Sequence, residues 1–465
     1  MPGSPFSALG SGFLALDPSG NFVYVALSST AVTVSRLNPT TGALTQVAGS
    51  PFSTGGQYNY GLTTDPSGHF LYLGTSIPSG GTPLWQLLSV NSQTGALTPV
   101  TTTGSVPFGN TTIVGLTTGA KPVAFTPGYA YVANSPVTGT STQNGILQYS
   151  INPSTGMLTQ VGSLFTDSDG PQVLALTPKQ QYLYSSEASG ILYGYSFLAG
   201  GALNRVAVAQ EAVVYPTYSI VVDTSGAYLL GTDPGPAGSA DATNWPINSA
   251  GGLGAYFGTY NFTGPGVAIT DSPTLFGPVA ISSDNNLWGL YDGSNTGAMW
   301  GSFTVGNSPS AVGVDGAGRF VYVANSADNT ISGFTGNGSS LLSLNSGVPF
   351  ATGTSPSAIA GDPWGRYLYV ANAGSQNIWE YSIDPISGTL APLAASPLSL
   401  GVSPNSLTVD FTGKFLYATN SGAGTISVFS LNADGSLTLQ GTTKVNSGTP
   451  QSPAPTSIVT AGTAR

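Results

Sequence analysis

The sequence predicts an all-β fold, a β-propeller of four-stranded antiparallel blades. Three observations predict it. One short pattern returns nine times along the 465 residues: apolar run, Asp-Pro-Ser-Gly, apolar run, Tyr-Val-Ala-Asn. The copies recur at spacings near 50 residues, a period that belongs to propellers and related repeat folds. The composition, with 64 Gly, 34 Pro and 40% hydrophobic residues, suits many short strands and tight turns better than disorder.

Each element of the repeat has a physical reason. The first apolar run, as in Leu14-Ala15-Leu16, Val312-Gly313-Val314 or Ile359-Ala360-Gly361, is too short for a helix and suits a buried strand. Asp-Pro-Ser-Gly then turns the chain: Asp accepts hydrogen bonds from the turn, Pro presets φ and Gly supplies a positive φ. Asp17, Asp65, Asp223, Asp315, Asp362 and Asp410 hold this position, and turn capping is their expected role. The Phe/Tyr-x-Tyr-Val-Ala stretch alternates as a second strand. Thr33-Val34-Ser35-Arg36-Leu37 exemplifies the third strand. The fourth follows a glycine turn, as in Gly42-Ala43-Leu44, Gly95-Ala96-Leu97, Gly156-Met157-Leu158 and Gly388-Thr389-Leu390.

The second-strand marker falls at Tyr24, Tyr72, Tyr131, Tyr184, Leu230, Gly289, Tyr322, Tyr369 and Tyr417. Units are expected near 12–52, 59–108, 120–165, 170–214, 217–265, 276–306, 307–350, 355–398 and 403–440 of one propeller domain spanning 1–465. The unit at 276–306 reads as degenerate, lacking a fourth strand, which leaves eight complete units. The alternative is a seven-bladed ring with insertions. Residues 441–465 read as a tail or a closing strand, because Ser457-Ile458-Val459 resembles a first strand. Ring closure protects sheet edges that would otherwise aggregate.

Composition excludes several classes. Charged residues are only 6%, and nine Lys plus Arg against 19 acids leave a net charge of −10. So few cations cannot neutralise a phosphate backbone, which argues against nucleic acid as a partner. No apolar run is long enough to cross a membrane as a helix. There is no cysteine, so disulfides and thiolate metal sites are out. Met1-Pro2-Gly3-Ser4-Pro5-Phe6 is no signal peptide, so the expected location, secreted, periplasmic or cell-surface, implies a leader absent from this chain. With so few charges, protonating the acids adds little self-repulsion, which predicts tolerance of acid.

Tyr131-Val132-Ala133-Asn134, Tyr322-Val323-Ala324-Asn325, Tyr369-Val370-Ala371-Asn372 and Tyr417-Ala418-Thr419-Asn420, with the Asp-Pro-Ser-Gly turns, resemble the YVTN-type, lactonase-like β-propellers. The resemblance covers nearly the whole chain and is weakest between about 235 and 305. It implies a seven-bladed fold and relatives that include 6-phosphogluconolactonases, carboxymuconate-cyclising enzymes and surface proteins. Enzymes of this type use His, Arg and Glu.

The residues themselves offer little for such chemistry. Lactone hydrolysis needs a polarised carbonyl, an activated water and a general acid or base. The single His, His69, lies in a turn, and Arg36 and Arg205 are the loosely placed cations. No metal motif, phosphate loop or cofactor signature is present. One constellation remains. The residue three places after the marker, at the end of the second strand, reads Leu27, Thr75, Asn134, Glu187, Asp233, Asp292, Asn325, Asn372 and Asn420. It predicts an acidic arc of Glu187, Asp233 and Asp292, a weak cation candidate, beside an amide arc, on the end where propellers bind ligands. Capping of the following turn is the plainer role. The reading is a non-catalytic binding or scaffold protein that takes a small molecule, glycan or protein and has the capacity to self-associate. The alternative is a lactone hydrolase.

Overall fold

A computed structural model describes residues 12–17, 20–27, 31–38, 43–53, 58–64, 70–76, 84–91, 93–100, 125–135, 144–166, 170–212, 217–233, 240–255, 259–262, 264–271, 278–290, 299–336, 341–344, 349–445 and 455–464. The described residues form strands, in nine antiparallel sheets, with turns and two three-residue 3-10 turns between them. Where the sequence reading takes 1–465 as one domain, the chain forms two compact units, Met1–Ala124 and Phe125–Arg465.

The first unit holds two sheets. One runs Gly12–Leu16, Phe22–Leu27, Ala31–Leu37 and Leu44–Gln46; the other runs Tyr58–Thr64, Phe70–Ser76, Leu84–Val90 and Leu97–Pro99. They share one core that includes Tyr24, Val32, Leu71, Leu73 and Leu88.

The second unit holds seven sheets, and they form a closed ring. Blade 1 pairs Phe125–Asn134 with Gly145–Ile151 and Leu158–Gln160, and its innermost strand is Pro455–Ala464 from the far end of the chain. The tail is therefore a closing strand, and the expected unit 120–165 takes its first strand from it. Blades 2 and 3 begin at Pro171–Leu176 and Ser219–Val222, and blades 4 and 5 at Gly266–Thr270 and Pro309–Val314. Blades 6 and 7 begin at Pro356–Gly361 and Ser406–Val409. These innermost strands touch in sequence, and Pro455–Ala464 touches both blade 7 and blade 2.

Two expectations are corrected. The sequence has nine repeat units and nine sheets exist, but seven of them close the ring, which is the seven-bladed alternative. The sequence spacing argued against seven only because the first two units were assumed to belong to it. The unit at 276–306 is not degenerate: blade 4 has four strands, Gly266–Thr270, Val279–Ser282, Asn286–Leu290 and Met299–Thr304. Its first two strands are joined without the Asp-Pro-Ser-Gly turn. The turn-like Ser283-Asp284-Asn285 instead joins the second and third strands, and so shifted the apparent frame by one strand.

A repeated latch joins the blades. The second-strand tyrosine of one blade donates to a glycine carbonyl in the third-to-fourth hairpin of the next. The pairs are Tyr131 to Gly201 at 2.6 Å, Tyr184 to Gly251 at 3.0 Å and Tyr322 to Gly388 at 2.7 Å. Tyr369 to Gly435 follows at 2.7 Å, and Tyr417 to Gly156 at 3.1 Å closes blade 7 onto blade 1. Two residues earlier, an aromatic ring covers the same glycine: a Cβ on Gly388 would lie 2.5 Å from Phe320, and one on Gly435 would lie 2.3 Å from Tyr367. Blades 3 and 4 carry Leu230 and Val279 at the tyrosine position and have no hydroxyl to donate. Stacked Phe262 and Trp288, 5.5 Å apart, pack the seam between those two blades.

Candidate functional site: the upper end of the ring

The second strands of the ring all finish at one end, where the connections between blades also pass; this is called the upper end below. The terminal residues are Asn134, Glu187, Asp233, Ser282, Asn325, Asn372 and Asn420. Asn134, Glu187, Ser282, Asn325, Asn372 and Asn420 are fully buried. Ser282 takes the place assigned to Asp292, because Val279–Ser282 is the second strand of blade 4. Asp292 lies outside the described residues, beyond the end of the third strand, Leu290. Asp233 ends its strand opposite Asp241.

The amides hold their own blades together. Asn325 Nδ2 donates to Thr330 Oγ1 and Ser332 Oγ at 3.1 and 3.0 Å, and Asn420 Nδ2 donates to Thr425 Oγ1 and Ser427 Oγ at 3.2 and 3.0 Å. Asn372 Nδ2 donates to Asn377 Oδ1, and its own Oδ1 accepts from Thr352. Such bonds fasten the second strand to the start of the third. Gly306 and Gly353 pass so close that a Cβ on either would lie within 2.8 Å of the Asn325 or Asn372 amide carbon.

Glu187 is the acid of the predicted arc whose side chain is described. Ser185 Oγ donates to its Oε1 at 2.5 Å, and the Tyr195 hydroxyl lies 3.2 Å from Ser185 Oγ. On the other face of the strand, Ser186 donates to the Thr217 carbonyl of blade 3 at 2.8 Å. Among the described residues, no group of three His, Cys, Asp or Glu side chains could hold a metal ion.

The innermost strands carry no ionisable side chain. Their hydroxyls and amides bond backbone across the axis wall: Ser310 donates to the Pro356 carbonyl at 2.6 Å, Ser357 to Pro404 at 2.8 Å and Thr408 to Ile458 at 2.8 Å. Cations sit elsewhere. From 125 to 464 the sequence has six Lys or Arg residues and no His. Arg319 and Arg366 are ion-paired to Asp315 and Asp362 at the lower turns, at 3.0 and 2.9 Å. Lys179 and Lys414 lie in lower turns as well, and Arg205 stacks on the Tyr193 ring, 3.8 Å from its centroid. Lys444 ends the outermost strand of blade 7. Arg36 belongs to the first unit, where it stacks on Phe22 and bonds the Gln93 carbonyl. His69 lies outside the described residues.

The described turn aspartates act as expected, while Asp65 lies outside the described residues. Asp410 Oδ1 accepts from the Lys414 and Phe415 amides at 2.9 and 2.7 Å, and Asp223 and Asp315 receive equivalent bonds. Burial still holds the Asp410 carboxyl above its ordinary range, against the donors that pull it down. Glu380 escaped the sequence reading. It is a lone acid in a third strand, fully buried, with one oxygen accepting from the Leu437 amide of the next blade at 3.0 Å. Burial pushes its carboxyl up. The signal was a single charge at the register position opposite Tyr369, where Gln148 of blade 1 also reaches into the next blade.

A family model described as lactonase, seven-bladed β-propeller, matches residues 135–272 and 279–403, more than half of the chain. Among solved structures, the periplasmic gluconolactonase of Pseudomonas aeruginosa is 17% identical with a TM-score of 0.60, covering 72% of this chain and 99% of its own. A candidate 6-phosphogluconolactonase from Bacteroides fragilis is 17% identical at 0.59, covering 72% and 98%. A Lactobacillus plantarum protein is 16% identical at 0.60, covering 72% and 99%. At these identities the structures speak for the fold alone. No curated protein sequence matches the chain. Among the described residues no helix is long and apolar enough to cross a membrane. The family model, agreeing with seven closed blades, makes the chain a member of the lactonase family of seven-bladed β-propellers.

Proposed function

We propose that the ring hydrolyses a small, uncharged lactone at its upper end. Family membership supports lactone chemistry, which the sequence reading held as its alternative. The observation that carries the substrate charge is the placement of cations: near the axis, the described upper end has acids and amides and no Lys, Arg or His. A phosphate or carboxylate on the substrate would meet no counter-charge there. Glu187 is closed off from solvent, so in this reading it is a positioning residue. Its carboxylate accepts from Ser185, and its backbone carbonyl takes the Gly190 amide of the turn above it at 3.0 Å. The test is turnover of glucono-δ-lactone against its 6-phosphate. The neutral lactone is expected to be the better substrate, with Glu187→Gln lowering kcat more than KM. Equal or better turnover of the phosphate would overturn the charge argument, and no turnover of either lactone would remove the hydrolase reading.

A second reading, a non-catalytic binding or scaffold module, is favoured by one observation: the innermost strands present only neutral side chains to the axis. It predicts saturable binding of a neutral sugar or lactone with no product formed. An exported location fits the cysteine-free, low-charge chain and is the setting of the P. aeruginosa neighbour. Fractionation of cells that make the protein naturally tests it.

A further inference from the structure

A cleft of about 280 Å³ opens between blades 2 and 3 at the lower end, away from the site considered above. Thr177, Lys179, Gln181 and Tyr182 of blade 2 line one side, and Ser225 and Asn248 of blade 3 are on the other. Its origin is visible in the seam between blades 5 and 6. There, Asp315 and Arg319 hold the positions of Thr177 and Gln181, four residues apart in both turns. The Arg319 guanidinium fills the space: its Nε and Nη2 bond Asp315 at 3.1 and 3.0 Å, Nη1 bonds the Pro385 carbonyl at 3.1 Å, and Nη2 bonds the Gly365 carbonyl at 3.0 Å. In blade 2 both members of the pair are gone. The Tyr182 hydroxyl takes the hairpin carbonyl of Ser249 at 3.0 Å, and the remaining volume is open.

The chemistry of the emptied seat is distinct. Lys179 is the only charged side chain among the lining residues, is exposed and makes no ion pair among the described residues. Loss of the aspartate removes the negative charge that the equivalent seat carries. Asn248 uses its Oδ1 on the Ala250 and Gly252 amides, and its amide nitrogen makes no hydrogen bond among the described residues. Gln181 lends only its backbone N–H, to Thr177 Oγ1 at 3.0 Å. Pro178 and Ile247 supply an apolar wall. The Ser225 hydroxyl already donates to Asp223 and that of Thr177 to the Tyr182 carbonyl. One cation, two side-chain amides and a small apolar wall remain, a set that suits an acid bearing hydroxyl groups.

We propose that this cleft binds a small hydroxy-carboxylate, with its carboxylate on Lys179 and its hydroxyls on the side-chain amides of Gln181 and Asn248. The site is independent of the hydrolase reading, although the acid released from a lactone belongs to this class. The test uses the full chain and D-gluconate as the probe, followed by calorimetry or NMR shifts, with D-glucitol as the uncharged control. Saturable binding of gluconate is expected, and Lys179→Ala should weaken it about tenfold, as for loss of one charge-assisted bond. The double variant Thr177→Asp with Gln181→Arg rebuilds the filled seat of blades 5 and 6 and should abolish binding while near-UV circular dichroism is unchanged. No saturable gluconate binding, equal binding of glucitol, or binding untouched by the filled seat would overturn the proposal. Because the readout is binding of the acid, a protein without lactone turnover can still pass this test, and an active lactonase can fail it.

Discussion

Gly388 shows how one residue carries a blade seam. Its φ is 71°, a conformation that costs L-residues with a Cβ roughly 1 to 2 kcal/mol. Its carbonyl takes the Tyr322 hydroxyl, and Phe320 lies where a Cβ would go. Tyr322→Phe should therefore lower unfolding stability by about 1 to 2 kcal/mol, since it leaves a buried carbonyl without its donor. Gly388→Ala should cost about 2 kcal/mol or more, because backbone strain and overlap with Phe320 add. Urea unfolding midpoints of the two variants check both; an unchanged midpoint would show that the latch is incidental. Glu380 makes a prediction about pH. Burial raises its carboxyl in the folded chain, so its ionised form opposes folding. The folded state gains from this group at low pH and loses that gain as pH rises through the raised value. Glu380→Gln, which keeps an acceptor for Leu437, should stabilise the protein at neutral pH, and the difference should vanish in acid.

Blades 3 and 4 stand apart from the other five. Their second strands lack the latch tyrosine, and blade 4 has its tight turn between the second and third strands. Their seams rest on apolar packing such as Phe262 on Trp288, without the hydroxyl-to-carbonyl bond. Hydrogen exchange should therefore be faster in Tyr228–Asp233 and Val279–Ser282 than in Phe320–Asn325 and Tyr367–Asn372. Equal protection across the four strands would show that the latch does not set local stability. The same stretch is where the motif fades from the sequence, with Leu230 and Val279 in place of the marker tyrosine.

Closure governs the ring as a whole. Pro455–Ala464 pairs along Phe125–Asn134 and fills the innermost place in blade 1. Deleting 455–464 should expose an edge strand and yield aggregated or partly folded protein, read by light scattering and loss of near-UV signal. Residues 125–465 alone should fold, since all seven blades lie within them. Acid should be tolerated too. Asp410 and Glu380 are raised by burial, so protonating them does not work against the fold. The acids that hydrogen bonds hold low, Asp328, Asp384 and Asp434, are exposed. Near-UV circular dichroism at pH 3 to 4 should match that at neutral pH.

Strands, turns and the blade pattern were legible in the residues, because Asp-Pro-Ser-Gly, Tyr-Val-Ala-Asn and the glycine hairpins act within a few positions of one another. The turn roles of Asp223, Asp315 and Asp410 follow from the same local chemistry. How many blades close the ring was not legible, because closure depends on a strand more than 300 residues away from its partner and on which repeats meet around one axis. The candidate arc shared that fate: Glu187, Asn325, Asn372 and Asn420 do end their strands at one end of the ring, but only packing decided that they are buried and that Ser282, not Asp292, completes the set. Side-chain burial and the emptied seat beside Lys179 are properties of neighbouring blades, and no single repeat contains them.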